Sequence, residues 1–332
     1  MNQCIKKYTD VRGFNFHADW GFSGIDLWLE NFNPERYREL IKNGKQHFPG
    51  MTALRIWLSF SAWCKNPALC LANMKKAGEI ISEENLDFIP VYFNGCLGVP
   101  LFDVFTAETL FGQRQYTDFK FFKKYVKAAA DCFKGQRVLM HDIANEPFNN
   151  VGNVQSFIEI VRDFMEIMAN EIRTVDDRPI TVGSQGFPWQ DKAGMTSNSK
   201  WLDIDLLNPF VDVITLHAYY IPPKPEQLHE DEIREVLGYI DTLGKPTICT
   251  ECCWFADTDE ERAALVKHDL ALFNKLGLGF CAHALRESPV FDLHPITDAD
   301  DNSGVGGAYM AFIDKNGDIR KGHEIFNDYT VK

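Results

Sequence analysis

Eight short apolar runs punctuate the chain. They are "RGFNF" near residue 12, "ALRIWLSF" from 53, "LDFIPVYF" from 86 and "RVLMHDIA" from 137, then "RPITVGS" from 178, "VDVITLHAY" from 211, "KPTICTE" from 245 and "LGFCAHAL" from 278. Val, Ile, Leu and Phe follow one another in them with little polar alternation. Strands of a parallel sheet covered on both faces read this way. Between the runs the pattern changes to the helical period. "NPERYRELIKNGKQHF" opens with Asn33 as N-cap and Pro34 at the first helical position. "FIEIVRDFMEIMANEI" puts Phe157, Ile160, Val161, Phe164, Ile167, Met168 and Ile172 on one stripe. "DTDEERAALVKHDLALFNKLG" has the signature of a capping box, Thr258 with Glu261, and a stop at Gly277.

The runs start roughly 30 to 50 residues apart, the length of a strand–helix unit with variable loops. No Pro-, Gly- or Ser-rich linker divides them. The pattern predicts an α/β chain folded as one (β/α)8 TIM barrel, a single domain over 1–332 with the barrel at about 10–330. A doubly wound sheet is the competitor, but it usually carries a Gly-rich phosphate turn after its first strand. Here that strand runs into "HADWGFSGID", where Gly21 and Gly24 do not match the turn.

A length of 332 residues suits one large barrel or two average domains. The net charge of −13 disfavours nucleic acid and anionic membranes as partners and leaves a neutral or cationic ligand. No stretch reaches the ~18 apolar residues of a membrane helix. Nine cysteines without framework spacing, behind a start that has no secretory apolar run, lead to the expectation of a cytoplasmic protein.

Polar groups gather at the carboxyl ends of the runs, where such barrels build their sites. The first run ends on Phe16 and His17, the second on Arg55 and Trp57, the third on Tyr92 and Asn94. The fourth ends on Asn145 and Glu146, the sixth on His217 and Tyr219, the seventh on Glu251, the eighth on His283. Carboxylates at the end of buried strands are too costly to keep for packing. Glu146 and Glu251 are therefore expected in one pocket. Two carboxylates ~5–5.5 Å apart cleave a glycosidic bond with retention: one attacks the anomeric carbon, while the other protonates the leaving oxygen and later deprotonates water.

"ANEP" after the fourth run and "TE" ending the seventh resemble the clan A retaining glycosidases, and most closely the cellulase family, glycoside hydrolase family five. The resemblance implies Glu146 as acid/base, Glu251 as nucleophile and Asn145 on the sugar 2-hydroxyl. Arg55 in "LRIW" resembles the arginine that orients the nucleophile. His217 and Tyr219 in "LHAYY" resemble the pair beside the site. The segment "AFIDKNGDIRKGHEIFNDY" resembles the family's closing turn and last helix. The chain departs from the family in two ways. The tryptophan usual at the end of strand eight is replaced by His283 or Leu285, and Asn94 stands where a histidine is often found, His141 lying too early in the fourth run.

Other residues carry two readings. His17, Asp19 and Trp20 line the sugar pocket or pack a loop. Trp57, Trp254, Trp63 and Trp189 are stacking surfaces or core. Arg55, His217 and Tyr219 have salt-bridge, core and wall readings. Cys249 and Cys252 bracket Glu251 as C-x-x-C, which here reads as packing, with no second pair for zinc. "DADDNSG" from 298 lacks the glycine and glutamate of a calcium loop. It lies in a long segment, 286–308, of the kind that forms lids, with Arg286 and Glu287 at its base. The expected enzyme is a retaining β-glycosidase for short β-linked oligosaccharides or glycosides, with carbohydrate as partner and no cofactor or metal. A metal-dependent sugar isomerase or epimerase using Glu146, His217 and Glu251, and a non-catalytic sugar-binding barrel, are the alternatives.

Overall fold

The computed structural model of the chain describes residues 8–20, 23–95, 105–149, 151, 154–184, 200–289 and 310–330. Its eight strands are β1 (Arg12–Phe16), β2 (Ala53–Trp57), β3 (Asp87–Asn94), β4 (His141–Asn145), β5 (Ile180–Gly183), β6 (Ile214–His217), β7 (Thr247–Cys252) and β8 (Phe280–Ala282). They form one parallel sheet in the order β5-β4-β3-β2-β1-β8-β7-β6. Each of the eight apolar runs coincides with one strand, β3, β4 and β7 running one residue past theirs. The sheet curls until β5 and β6 meet. At that seam Asp212 N donates to the Ile180 carbonyl at 2.7 Å. The Thr181 and Thr215 hydroxyls donate across it to the carbonyls of Val213 and Val182 at 2.8 and 2.7 Å. A (β/α)8 barrel results, nearly closed, with helices between the strands.

Helices α1 (Gly24–Trp28) and α2 (Pro34–His47) follow β1; α3 (Phe60–Lys65) and α4 (Pro67–Glu83) follow β2; α5 (Ala107–Thr117) and α6 (Lys120–Cys132) follow β3. Then α7 (Gln155–Arg173), α8 (Leu202–Leu207), α9 (Glu226–Leu243) and α10 (Asp259–Leu276) follow β4 to β7 in turn. Asn33 caps α2 through the Arg36 amide, with Pro34 in the first turn, as the sequence predicts. Helix α10 is capped by Thr258 at its start and by Gly277, which takes φ 67°, at its end. The capping box there is altered: the Glu261 carboxylate accepts the Thr258 hydroxyl at 3.1 Å. On α7 the stripe is buried as expected except for Phe157 and Ile167, which flank the core while Ile158 and Met165 enter it. The closing segment ends in a 3-10 helix, His323–Tyr329, with Phe326 stacked on Phe14 of β1 at 4.3 Å.

Inside the strands the period is two. On β2, Leu54 and Ile56 face outward into the core under the helices, while Ala53 joins Ile89, Val213, Ile248 and Cys281 in a separate cluster inside the barrel. Two residues further along the same inner face stands Arg55, in register with Asn15 of β1. The barrel interior is thus apolar where the strands start and polar where they end.

Gly183, last residue of β5, has no room for a side chain. An added Cβ would lie 2.8 Å from Nη2 of Arg55 and 3.1 Å from the Ala144 carbonyl. Gly183→Ala is expected to lower the unfolding free energy by about 1–3 kcal/mol through overpacking, measured by urea denaturation, and to lower activity with it by displacing Arg55.

Candidate active site

The polar end of the barrel is organised around the Arg55 guanidinium, whose side chain has no solvent exposure. Its Nε donates to Asp142 Oδ2 at 2.9 Å. Nη1 donates to Glu251 Oε1 at 2.5 Å and to Asn15 Oδ1 at 3.0 Å. Nη2 donates to Asn145 Oδ1 at 2.9 Å. One cation thus orders side chains from β1, β4 and β7, a task suited to arginine's rigid fork of donors. Asn145 passes the order on, donating through Nδ2 to Asn94 Oδ1 at 3.2 Å. The guanidinium also lies over the Trp57 ring, 4.7 Å from its centroid.

Asp142 and Asn145 are three apart, so regular pleating would send them to opposite faces. A register shift between them on β4 brings both onto Arg55. Similar shifts precede His217 on β6 and lie between Cys249 and Cys252 around Glu251 on β7. Irregular rungs of this kind re-aim side chains beside active sites. Past the shift, Ala218 N donates to the Glu251 carbonyl at 2.9 Å and ties the ends of β6 and β7 together.

The two glutamates converge. His217 Nδ1 lies 2.7 Å from Glu146 Oε1 and 3.4 Å from Glu251 Oε2. One carboxylate oxygen of each glutamate lies within 4.8 Å of the other. The Tyr219 hydroxyl donates to Glu251 Oε2 at 2.7 Å. Asn149 donates to Glu146 Oε2. Glu146 itself has φ 46°, in the left-handed region. Its amide nonetheless donates to the Gly183 carbonyl at 2.8 Å, which fixes the strained backbone against β5.

The electrostatics separate the groups. Burial alone would raise the Glu251 carboxyl; His217 and Arg55, helped by the Tyr219 hydroxyl, outweigh it and bring it down to about 2. Burial, reinforced by Glu251, pushes Tyr219 well above the usual phenol range, so it stays a neutral donor. Burial lowers His283 to about 4, which leaves it neutral, its ring edge-on to Trp57 with centroids 6.4 Å apart.

Arg55, Asn94, Asn145, Glu146, His217, Tyr219 and Glu251 are therefore one connected assembly, with Trp57 and His283 packed beside it. Trp254 stands edge-on to Tyr219 at 4.6 Å. His17 is buried with Nδ1 on the Ala18 carbonyl at 2.9 Å. Asp19 takes the loop-packing reading: Arg36 Nη2 reaches it at 2.5 Å and Arg286 at 3.5 Å. Glu287 pairs with Arg320 at 2.9 Å. His141 sits at the start of β4, 2.8 Å from the Tyr92 hydroxyl and 3.2 Å from the Asp176 carboxylate, with no hydrogen bond to Glu146 or Glu251 among the described residues. Trp63 packs on Phe60 and Tyr125. Cys249, Cys252 and Cys253 are buried free thiols in the core, as the packing reading has it. Trp189, the "DADDNSG" stretch and the rest of the segment after Pro289 lie outside the described residues. The sequence reading missed Asn15, Asp142 and Asn149. For Asp142 the signal was a charged residue in mid-strand, three before Asn145.

Glu146, His217 and Glu251 also have the donor types of a metal site. Both Glu251 oxygens, however, are already engaged by Arg55 and Tyr219, and the guanidinium charge opposes a cation there.

The family model described as Cellulase (glycosyl hydrolase family 5) matches residues 103–285, more than half of the chain. The chain belongs to this family. It is a glycoside hydrolase. No curated protein matches it. Among solved structures, this family 5 enzyme is similar to a family 5 xyloglucanase from Paenibacillus pabuli, with 17% identity, 98% of each chain covered and a TM-score of 0.66. It is also similar to an endo-1,4-beta-mannanase from Rhizomucor miehei, with 14% identity, 96% of this chain and 94% of that chain covered and a TM-score of 0.61. A family 5 mannosidase from Rhizomucor miehei, solved with mannosyl-fructose, shares 15% identity over 99% of this chain and 95% of that chain, TM-score 0.60. At such identities the likeness concerns the fold.

Two measurements follow from the Arg55 assembly. Arg55→Met leaves Asp142 and Glu251 buried without their cation, so the unfolding free energy should drop by about 3–5 kcal/mol in denaturant titrations. The lowered carboxyl of Glu251 contributes stability that is complete above its unfolded value of about 4.3. That contribution is lost as pH falls from there through about 2. Across this interval the wild type should lose more stability than Glu251→Gln; equal losses would assign the linkage elsewhere.

Proposed function

We propose that this family 5 enzyme is a retaining β-glycosidase that hydrolyses short β-linked oligosaccharides or glycosides by double displacement. The observation that carries the reading is the approach of the Glu146 and Glu251 carboxylates to within 4.8 Å. Retaining enzymes hold their pair about 5–5.5 Å apart, and inverting enzymes leave room for a water at about 6.5–9.5 Å.

Glu251 is the nucleophile. Arg55 and Tyr219 hold its two oxygens and keep it ionised, so its attack on the anomeric carbon needs no prior proton loss. The new C–O bond forms as the glycosidic C–O bond breaks, and the electron pair leaves with the aglycone oxygen. Glu146 is the acid that delivers a proton to that oxygen. As a carboxylate it then takes a proton from water, whose oxygen attacks the anomeric carbon and frees Glu251. His217, between the two carboxylates, orients both. Asn145, fixed by Arg55 and Asn94, donates toward the sugar 2-hydroxyl. Trp254, edge-on to Tyr219, is the surface on which a sugar ring stacks. The mannan- and xyloglucan-directed names of similar structures favour β-mannosides and β-glucosides as first substrates.

Glu251→Ala should lose essentially all turnover, with partial return on adding azide. Glu146→Ala should lose roughly 10²–10⁴-fold on substrates with poor leaving groups. It should lose far less on activated aryl glycosides, which need little protonation. Equal losses on both substrate kinds would take the acid role from Glu146. NMR of the first-formed sugar should show the β anomer; the α anomer would overturn retention.

A further inference from the structure

Behind the ends of β6 and β7, outside the catalytic pocket, a second group of chemistry-bearing side chains comes together. His229 on α9 and His268 and Asp269 on α10 each place one donor atom within 4.8 Å of the other two. His229 Nδ1 and His268 Nε2 are 3.0 Å apart. His229 and Asp269 are wholly buried, and Asp269 has no basic side chain within ion-pair distance among the described residues. Its Oδ2 accepts the Cys253 amide at 2.7 Å. Its carboxylate lies beside the Tyr220 backbone, yet Oδ1 completes no hydrogen bond of good geometry among the described residues. The other nitrogens of the imidazoles have oxygens near them. Nδ1 of His268 is 3.6 Å from Glu226 Oε2, and the His229 ring lies beside the Ala218 backbone.

We infer that His229, His268 and Asp269 form a zinc site that braces the loops after β6 and β7. Without an ion, one ring N–H closes the 3.0 Å hydrogen bond between His229 Nδ1 and His268 Nε2; with both protons on the outer ring edges, the two inner lone pairs are free to ligate. A cation between them fits that arrangement. Two nitrogens at 2.0–2.1 Å from a tetrahedral zinc are about 3.3 Å apart, so the observed pair needs to open only slightly. Two neutral imidazoles and one carboxylate suit zinc, with the fourth position left to water. The ion also supplies a partner for Asp269 Oδ1, which completes no hydrogen bond among the described residues. Glu226 plays the part of the outer carboxylate that fixes a ligating imidazole. Entry is open: His268 and Glu226 line a surface groove of about 790 Å³ between α9 and α10. The task assigned to the ion is bracing, since Asp269 also holds the Cys253 amide, two residues past Glu251.

The test uses the full chain stripped with chelator and titrated with Zn2+, read by thermal unfolding and calorimetry, and with Co2+, read by its visible d–d bands. The wild type should bind one zinc, gain thermal stability and give the intense bands of four-coordinate cobalt. His268→Gln, at a partly exposed position, should fold and lose all three. Glu226→Gln should bind about 10–100-fold more weakly. Glu251→Gln should bind zinc like the wild type. No binding by the wild type, or undiminished binding by His268→Gln, overturns the site. Binding that disappears in Glu251→Gln and persists in His268→Gln assigns the ion to the barrel mouth and also overturns it.

Discussion

The site hangs on the buried contact between the Arg55 guanidinium and the carboxylates of Asp142 and Glu251. Removing three charges from water costs several kcal/mol each, and the arrangement stands because nearly every donor and acceptor among them is satisfied. Asn15 is part of that satisfaction: it accepts from Arg55 and donates to the Thr250 carbonyl at 2.9 Å, one residue before Glu251. Position and charge of the nucleophile are therefore set by the same few bonds. A loosening of β1 or β4 would reach Glu251 even though neither strand touches it in the ladder.

The bulged rungs explain why such an assembly fits inside a regular barrel. Eight parallel strands with strict alternation give each strand a fixed set of inward positions. The site needs Asp142 and Asn145, His217 and Tyr219, and Glu251 all turned toward one centre. The shifts on β4, β6 and β7 supply the extra turn, and all three lie at the carboxyl ends, beyond the apolar cluster of Ala53, Ile89 and Val213 that stabilises the barrel. Fold and chemistry are thus separated along each strand.

That separation governs how much could be read without coordinates. The eight strands were legible because both-face burial writes nearly unbroken apolar runs. Arg55, Asn145, Glu146, His217, Tyr219 and Glu251 were legible because a polar group ending such a run has few reasons to be there. Asp142 and Asn15 were not, since alternation alone cannot show a shifted rung and Asn15 sits inside a run that ends on His17. Asn149 belongs to a turn that exists only once Glu146 has taken its left-handed backbone. The pairing of His229 with His268 joins two helices, and no local pattern encodes which faces of neighbouring helices meet. Asp19 and Glu287 illustrate the opposite error: each ends near the barrel mouth, but a nearby arginine claims it.

The left-handed backbone at Glu146 has a wider meaning. A residue with a β-carbon held at φ 46° costs about 1–3 kcal/mol against a relaxed conformation, and glycine, or to a lesser degree asparagine, would avoid much of it. If folding alone selected this residue, a long acidic side chain would be among the poorer choices. The chain's most stable form and its working form therefore differ in sequence at this point, and the carboxylate is kept in spite of the scaffold it stands on.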